Sequence, residues 1–466
     1  MNVVELQKLW QEKYSCVPTQ LKKVKEIGSV ATAFNTNIDA VLKISGKRLT
    51  ELIKEVNLSE NEFVDSQTLL KTPKDVVRGI AKCFSRGIAE EWITDDKAVY
   101  EWMSRNLGYD RLQMGGQGGI VANALAVLGV QNVFVHTNSH PKLQAQQFLP
   151  LNNLLGIDEN GKVRRAADID RAAETPLIHW IIEFDIADSF TAWGKEFTCP
   201  KSNRFIATYD PANIDLVINP DFVKHLSQNG YDYLVLSGYH NLTSKRRGVE
   251  LVAASVPLIE NWKQNNPQGI IHLELASTQD KKVRGAIIEK IAPLADSLGF
   301  NEREALDALE IIDEQKYRKI VHEKLTASRL FEILCVIKNK TKASRVQLHM
   351  FGLYITLQDK NFRITPEQNL RGMMLASTIA ATKAGTGKIE DYDKLLWAYG
   401  KDVSETSIGS LCELSEHLQK DDLAETGICG YKSYDVIAVP TIIIEKPLTL
   451  VGMGDTISSV SLVGAR

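Results

Sequence analysis

Apolar runs rich in Val, Ile and Leu alternate with amphipathic segments along almost the whole chain. These runs have the length of strands, and their β-branched residues favour strands. They lie at residues 28–34, 132–136, 233–236, 269–275, 347–357 and 434–444. The segments between them have helical spacing, at 118–128, 247–265, 281–292, 302–309 and 370–383. The alternation predicts an α/β fold in which helices cover a mostly parallel central sheet.

Two stretches depart from this alternation. Residues 43–112 are charged and helical in pattern, whereas 160–207 contain the polar and apolar alternation of antiparallel strands. No linker rich in Pro, Gly and Ser separates either stretch from its neighbours. The sequence therefore predicts a smaller α+β lid of 43–112 and 160–207, inserted in a large α/β domain of 1–42, 113–159 and 208–466.

Composition limits the partners and the compartment. The chain has 466 residues and a formal net charge of −3, so no strong field favours nucleic acid or an acidic membrane surface. Its first residues lack the basic and apolar regions of a signal peptide, and the sequence contains no apolar run of membrane-spanning length. The six cysteines have no metal-ligand spacing. We therefore expect a cytoplasmic protein with reduced thiols.

A glycine-rich turn near the end of the sequence carries one carboxylate. In the run Gly452-Met453-Gly454-Asp455, the glycines let the backbone turn tightly before a predicted helix. We expect the strand at 434–444 to lead into this turn. The amides can then converge on a phosphate, helped by the helix dipole. A carboxylate at Asp455 would repel that phosphate, so its presence is explained if it accepts the proton of a hydroxyl nucleophile. An ordinary N-cap is the alternative.

Polar side chains follow the first predicted strand. Asn35, Asn37 and Asp39 lie where sheet proteins place ligand contacts. Amide and carboxylate groups together suit the hydroxyls of a sugar. An Asx-turn with an N-cap would also explain these residues.

A glycine cluster opens the predicted helix at 118–128. The backbone at Gly115 and Gly116 can cradle a phosphate or contact a sugar ring, and Gln117 adds a polar group. The cluster is not a P-loop, because it lacks Gly-Lys-Ser/Thr, and it lacks the spacing of the dinucleotide fingerprint. A flexible hinge is the alternative.

Two acidic motifs follow, one on a strand and one on a helix. Alternation puts His272 and Glu274 on one face of a buried strand, and a hydrated Mg²⁺ would explain both polar groups. Asn301 and Glu304 share the first turn of the next helix, where Glu304 could hold a water of the metal and Asn301 a phosphate or water. Acidic residues that complement the helix dipole are the alternative.

Arg204 lies at the end of the predicted lid. Its planar guanidinium suits a pair of phosphate oxygens and could neutralise charge on a transferred group. A surface ion pair would explain it equally well.

The motifs, in their order along the chain, resemble those of the archaeal ADP-dependent sugar kinases, a branch of the ribokinase-like superfamily. They are Asn35-x-Asn37-Ile38-Asp39, Gly115-Gly116-Gln117-Gly118-Gly119, Asn203-Arg204-Phe205-Ile206, His272-x-Glu274, Asn301-x-x-Glu304 and Val451-Gly452-Met453-Gly454-Asp455-Thr456. The resemblance is greatest to the ADP-dependent phosphofructokinases. It implies a ribokinase-like three-layer core with a mostly parallel sheet and a small lid, with Mg²⁺ as cofactor, ADP as phosphoryl donor and AMP as product.

The resemblance also implies a role for each motif. Asp455 corresponds to the catalytic base, Glu274 and Glu304 to the groups that hold the hydrated metal, and Arg204 to an arginine on the nucleotide phosphates. The amides of Gly452, Met453 and Gly454 correspond to the anion hole. Residues on the sugar side are Asn35, Asn37, Asp39, Gly115, Gly116 and Gln117. Nucleotide-binding residues are Asn301 and the adenine-pocket segments with His349, Val439, Pro440 and Thr441.

The acceptor stays open between two sugars. Transfer to the 1-hydroxyl of fructose 6-phosphate, in a modified glycolysis, is the first expectation, and glucose or both sugars are the alternatives. A sugar phosphate needs cations, and a free sugar needs hydroxyl partners such as Glu91. Candidate cations are Lys82, Arg86, Arg164 and Arg165. A nucleotide sensor without turnover is an alternative function of another class. For the oligomeric state, we expect a monomer or a small homo-oligomer.

Overall fold

A computed structural model describes residues 1–64, 69–278 and 280–466. Within them the chain forms an eleven-stranded main sheet of order β17-β18-β16-β15-β14-β13-β12-β1-β5-β6-β7. Its strands are β1 Ser29–Ala33, β5 Asn132–Val135, β6 Leu154–Ile157, β7 Val163–Arg165, β12 Tyr233–Leu236, β13 Ile270–Glu274, β14 Ser297–Phe300, β15 Arg345–Met350, β16 Leu353–Asp359, β17 Ile428–Tyr431 and β18 Tyr434–Pro440. The remaining strands are β2 Asn37–Lys43, β3 Glu90–Thr94, β4 Arg111–Gly115, β8 Ile178–Phe184, β9 Ser189–Ala192, β10 Lys195–Thr198 and β11 Asn203–Tyr209.

The centre of the main sheet is parallel. From β6 through β5, β1, β12, β13 and β14 to β15, each neighbouring pair runs in the same direction. The antiparallel pairs of this sheet lie toward its edges, where β7 pairs with β6, β16 with β15 and β18, and β17 with β18. Because parallel strands end at one edge of a sheet, the residues after β1, β12, β13, β14 and β15 meet there, where open α/β sheets bind ligands.

Helices cover both faces of the main sheet. On one face α7, α16 and α19 pack on one another, and on the other α11, α12, α13, α15 and α17 form a continuous layer. The helices are α1 Val3–Lys13, α2 Val17–Val24, α3 Gly46–Glu55, α4 Glu60–Phe63, α5 Pro73–Arg86, α6 Lys97–Asn106, α7 Gln117–Leu128, α8 Lys142–Ala145, α9 Pro211–Ile214, α10 Pro220–Gln228, α11 Gly248–Asn265, α12 Lys281–Ala286, α13 Glu302–Ile312, α14 Glu314–Ile320, α15 Ala327–Thr341, α16 Pro366–Thr386, α17 Glu405–Leu418, α18 Asp421–Thr426 and α19 Met453–Val463. The predicted three-layer α/β core is therefore confirmed. No helix in the described ranges combines the length and apolar character needed to cross a bilayer.

A second sheet, of order β3-β11-β8-β2-β4, forms the lid. One face carries Trp92, Trp180 and Phe205, which belong to a hydrophobic core separate from that of the main sheet. Helices α3 and α5 cover this face. Strand alternation turns the opposite face, with His179 and Asp39, toward the binding edge of the main sheet, and we call it the lid face.

The ends of the lid segments differ from the sequence prediction. Strand β2 and the last residues of β4 belong to the lid sheet, so residues 37–42 and 113–115 lie there and not in the core. Conversely, β7 lies within the segment 160–207 predicted for the lid, but it pairs with β6 at the edge of the main sheet. An alternating strand pattern indicates one exposed face but does not say which sheet the strand joins. The chain passes between the sheets near residues 36, 116, 177 and 210.

Two predicted strands also have different ends. The run 347–357 is not one strand, since a turn at Phe351 and Gly352 divides it into the antiparallel pair β15 and β16. The run 434–444 is regular only to Pro440. Apolar composition predicted burial correctly in both places. The turn at Gly352 needs only one residue with positive φ, so it hardly interrupts the apolar sequence pattern.

Candidate active site

Asp455 lies in the first turn of α19, beside the binding edge of the main sheet. The residue before the helix, Gly452, has φ +60°, a left-handed conformation that glycine adopts without strain. The first amides of a helix have no partner inside it, so those of Met453 and Gly454 are available to an anion. An irregular segment, 441–452, separates this turn from β18, and the expected direct passage from strand to turn is wrong. The longer segment lets α19 begin under the lid, away from the end of β18.

One side chain orients the carboxylate of Asp455. Gln117 Nε2 donates to Asp455 Oδ1 at 2.8 Å, and Gln117 Oε1 accepts from the amide of Gly238 at 3.3 Å. Burial raises the pKa of Asp455, while Gln117 and the ammonium of Lys383 oppose the rise. Asp455 is thus a positioned carboxylate with a strengthened affinity for a proton, as a general base requires.

Lys383, on α16, is a residue of the site that the sequence analysis missed. Its Nζ donates to the carbonyl of Gly452 and to Thr456 Oγ1, both at 3.1 Å. Burial lowers the pKa of this ammonium to about 8, against the attraction of Asp455. Lys383 therefore anchors the start of α19 and brings a positive charge to the anion site. A lysine in the apolar run 370–383 was the available signal.

Glu274, Glu304 and His349 form a compact cluster. Each offers one possible ligand atom, and these atoms all lie within 4.8 Å of one another. Burial, together with the neighbouring charges of Glu304 and Asp455, raises the pKa of Glu274, and burial raises the pKa of Glu304 to about 8. Two carboxylates that burial makes costly to ionise, together with an imidazole, form a donor set that fits a divalent cation.

Hydrogen bonds hold both glutamates of this cluster. Asn301 Oδ1 accepts from the amide of Glu304 at 3.0 Å, and Glu304 Oε2 accepts from the amide of Asn301 at 2.9 Å. This capping box uses the amide oxygen of Asn301 and one oxygen of Glu304, which leaves the other oxygen for the cluster. His272 Nε2 lies 3.3 Å from Glu274 Oε2, as strand alternation predicted.

A buried cation lies behind Glu274. Arg345, fully buried, donates to Ser297 Oγ at 3.0 Å, and Ser297 Oγ lies 3.0 Å from His272 Nδ1. Burial lowers the pKa of Arg345 to about 9, and the carboxylate of Glu274 opposes this shift. The chain of contacts orients Glu274 from the core side of the sheet.

The predicted sugar residues lie where the chain passes between the main sheet and the lid strands β2 and β4. Asn37 Nδ2 donates to Asp39 Oδ1 at 3.0 Å, and burial raises the pKa of Asp39 to about 6. A Cβ on Gly115 would collide with both side chains, and Gly116 has φ +72°. These glycines let the lid strands approach each other. Asn35 accepts from Ser237 Oγ at 3.3 Å and so ties β1 to β12.

The lid face carries further polar groups. Thr208 Oγ1 donates to Glu91 Oε1 at 2.6 Å. His179 Nε2 lies 2.9 Å from Asp210 Oδ2. Burial alone would lower the pKa of His179, but Asp210 outweighs it and raises the pKa to about 9. Asp39 pairs with His179 across the sheet, so a row of hydrogen-bonding groups faces the core.

Arg204 lies on the same face, opposite Glu183 in the neighbouring strand. Its side chain is exposed and forms no ion pair within the described ranges. The structure therefore leaves this guanidinium free for a ligand but does not bring it into contact with Asp455.

The predicted adenine residues lie at the ends of neighbouring strands, because His349 pairs with Tyr354 and Tyr354 pairs with Val439. The side chain of Val439 lies in the main hydrophobic core, and the carbonyl of Pro440 accepts from Tyr14 Oη at 2.8 Å. Thr441 donates its amide to the carbonyl of Gly352 at 3.1 Å. These three groups therefore already contact the rest of the protein.

Three of the cations considered for a sugar phosphate are engaged elsewhere. Arg164 and Arg165, at the outer edge of the main sheet, pair with Asp158 and Asp168. Lys82 pairs with Glu90 on the covered face of the lid sheet. The sequence could not show this, because all three depend on which face each strand presents.

Residues 28–464 match the family described as the ADP-specific phosphofructokinase/glucokinase conserved region, and the chain belongs to this family of ADP-dependent sugar kinases. The resemblance of its motifs is thereby confirmed. The chain is 30% identical to an ADP-dependent glucose/glucosamine kinase of Pyrococcus furiosus, with 98% of each chain covered. It is 28% identical to an ADP-specific phosphofructokinase of Methanosarcina acetivorans, over 92% of this chain and 91% of that protein.

Solved structures agree with this placement. The reconstructed last common ancestor of ADP-dependent phosphofructokinases from Methanosarcinales aligns with a TM-score of 0.87 at 30% identity, covering 100% of this chain and 99% of that one. An ADP-dependent kinase in complex with fructose 6-phosphate and ADPβS aligns with a TM-score of 0.81 at 29% identity, covering 100% and 98%. The relatives thus include enzymes named for either sugar.

Proposed function

We propose that the protein transfers the β-phosphate of ADP to the 1-hydroxyl of fructose 6-phosphate, giving fructose 1,6-bisphosphate and AMP in a modified glycolysis. The observation that carries the proposal is the carboxylate of Asp455, held 2.8 Å from Gln117 beside the open amides of α19. A hydroxyl nucleophile, an acceptor for its proton and a phosphate site are then adjacent. Relatives named for ADP and for fructose 6-phosphate support the choice of substrates.

The reaction divides its work among residues of both sheets. Asp455 accepts the hydroxyl proton as the sugar oxygen bonds to phosphorus and the bond from phosphorus to AMP breaks. The first amides of α19 and the ammonium of Lys383 stabilise the negative charge of the transferred group. Closure of the lid over the edge excludes water, which would otherwise compete as acceptor. Arg204 is the lid residue that we assign to the nucleotide phosphates.

Glu274 and Glu304 would hold Mg²⁺. The cation supplies partial neutralisation of the phosphate charge when it is bound. A bound cation would also favour the ionised forms of both carboxylates, whose pKa values are raised chiefly by burial.

Arg111 of the lid face is the candidate for the 6-phosphate. It lies opposite Val41 on β2, on the same face as Arg204, and forms no ion pair within the described residues. A dianionic phosphate needs such a cation. Arg111 differs in this respect from the three paired cations at other faces.

Glucose is the second candidate acceptor, and Glu91 favours it. Its carboxylate lies on the lid face and already accepts from Thr208, so it could accept from a sugar hydroxyl as well. The same charge would repel a sugar phosphate placed against it. An enzyme that uses both sugars would bind them with different parts of this face.

The deciding experiment crosses ADP or ATP with fructose 6-phosphate or glucose and measures AMP and sugar phosphate. AMP and fructose 1,6-bisphosphate from ADP support the proposal, and AMP with glucose 6-phosphate supports the second candidate. Asp455→Ala is the matched control, with turnover reduced about 10³-fold and ADP affinity little changed. A protein that binds ADP without forming AMP would be a sensor.

A further inference from the structure

His349 is a buried side chain that the proposed reaction does not use. The residue is 6% exposed, at the end of β15, and neither ring nitrogen has a hydrogen-bond partner in the described part of the chain. Leaving a buried polar group without a partner destabilises the fold. A ligand that engages the ring would remove this cost.

The ring is directed at the carboxylate cluster. Its Nε2 lies 3.6 Å from Glu274 Oε1, beyond hydrogen-bond distance, and its possible ligand atom lies within 4.8 Å of that of Glu304. An ion with bonds of about 2.0–2.2 Å joins atoms up to about 4.4 Å apart. A contraction of a few tenths of an ångström would therefore let one cation contact all three side chains.

The start of α19 borders the ring on the opposite side. A Cβ built on Gly454 would lie 2.9 Å from His349 Nε2, so the helix amides and the imidazole approach each other closely. The ring thus lies at the junction of the phosphate site and the carboxylates. The resemblance assigns His349 to the adenine pocket, and the structure places its ring beside the carboxylate cluster.

We propose that His349 is a nitrogen ligand of the divalent cation, which it holds together with Glu274 and Glu304. The inference deepens the proposed function, because it concerns the metal site of the same reaction. A site of carboxylates and water suits Mg²⁺ and Mn²⁺, whereas imidazole suits Ni²⁺ and Zn²⁺. The protein should therefore bind Ni²⁺ and Zn²⁺ more tightly than Mg²⁺, with His349 responsible for much of the difference.

The test uses Mn²⁺ as the only added ligand. Paramagnetic resonance of the protein titrated with Mn²⁺ gives the affinity, and electron spin-echo modulation detects a directly bonded nitrogen. We expect nitrogen modulation that changes when the protein is grown with ¹⁵N-histidine. His349→Gln should lose the modulation and weaken Mn²⁺ binding about 10-fold or more, with a smaller effect on Mg²⁺.

His417→Gln, on the partly exposed His417 of α17, is the matched control and should leave spectrum and affinity unchanged. Absence of nitrogen modulation in the unsubstituted protein overturns the proposal even if His349→Gln fails to fold. Modulation that persists in a folded His349→Gln also overturns it, as does failure to bind Mn²⁺. The Mn²⁺ titration contains no substrate, so its result does not depend on catalysis. Nitrogen coupling in this titration, together with no AMP in the phosphorylation assay, would refute the proposed function alone.

Discussion

Gln117 and Asp455, which lie 338 positions apart in the sequence, are joined by a hydrogen bond of 2.8 Å. Gln117 begins α7, directly after the lid strand β4, whereas Asp455 begins α19. The proposed base is therefore oriented by a residue at a passage between the sheets. We expect movement of the lid to change the alignment of this carboxylate through the contact.

Gln117→Leu should lower kcat about 10- to 100-fold with little change in KM, because the base loses its orientation. The substitution also removes a hydrogen bond that opposes the raised pKa of Asp455. The acidic limb of the kcat profile should therefore move to higher pH. Gln146→Leu, at an exposed position after α8, serves as control. An unchanged acidic limb with lower kcat would indicate only a structural role for Gln117.

Lys383→Met should lower kcat by about 10- to 100-fold, because the start of α19 loses its anchor and its nearby charge. The ammonium is charged below its pKa of about 8 and becomes neutral as pH rises through that value. Turnover of the unsubstituted enzyme should therefore fall above pH 8, and Lys383→Met should lack this decline. Lys388→Met, at an exposed residue just beyond α16, should behave as the unsubstituted enzyme. Retention of the alkaline decline in Lys383→Met would contradict the assignment.

Glu91→Ala should separate the two acceptors. Loss of a carboxylate that binds hydroxyls should lower kcat/KM for glucose about 10²-fold, while that for fructose 6-phosphate stays equal or rises. Glu90→Gln is the neighbouring control, because Glu90 accepts from Trp92 Nε1 on the covered face. Equal losses for both sugars would show that Glu91 does not discriminate between them.

His179 should make stability depend on pH. Asp210 raises its pKa from 6.5 to about 9, so the folded protein holds the proton more tightly than the unfolded chain. The stabilisation, about 3 kcal/mol at most, is complete below pH 6.5 and disappears as pH rises through 9. Denaturant unfolding should show the advantage over His179→Gln at pH 6 but not near pH 9.5. A pH-independent difference would argue against a protonated His179.

Metal binding should release protons. Burial raises the pKa of Glu304 to about 8, so without a cation this carboxyl is mostly protonated at pH 7. Calorimetry of Mg²⁺ binding in buffers of different ionisation enthalpy should show release of at least about one proton at pH 7, declining above pH 8. Glu304→Gln should reduce the release, and the exposed Glu289→Gln should not. Proton uptake would contradict the predicted protonation.

The sequence predicted the α/β core and the carboxylate on the glycine turn because both depend on local pattern. The run from β13 is apolar with one polar face, and the result is a buried strand that ends at Glu274. Sheet membership of β2 and β7 could not be predicted, since an alternating strand pairs equally well with either sheet. The positions of Lys383 and His349 in the site depend on contacts between segments that are distant in sequence. No single motif contains such contacts.

The chain connects the lid to the core at four places rather than one, near residues 36, 116, 177 and 210. Several attachments side by side resist twisting and sliding more than they resist bending. Opening of the cleft should thus be a hinge rotation of the lid about one axis. A deletion that removes the lid would have to remove two separate segments of the chain.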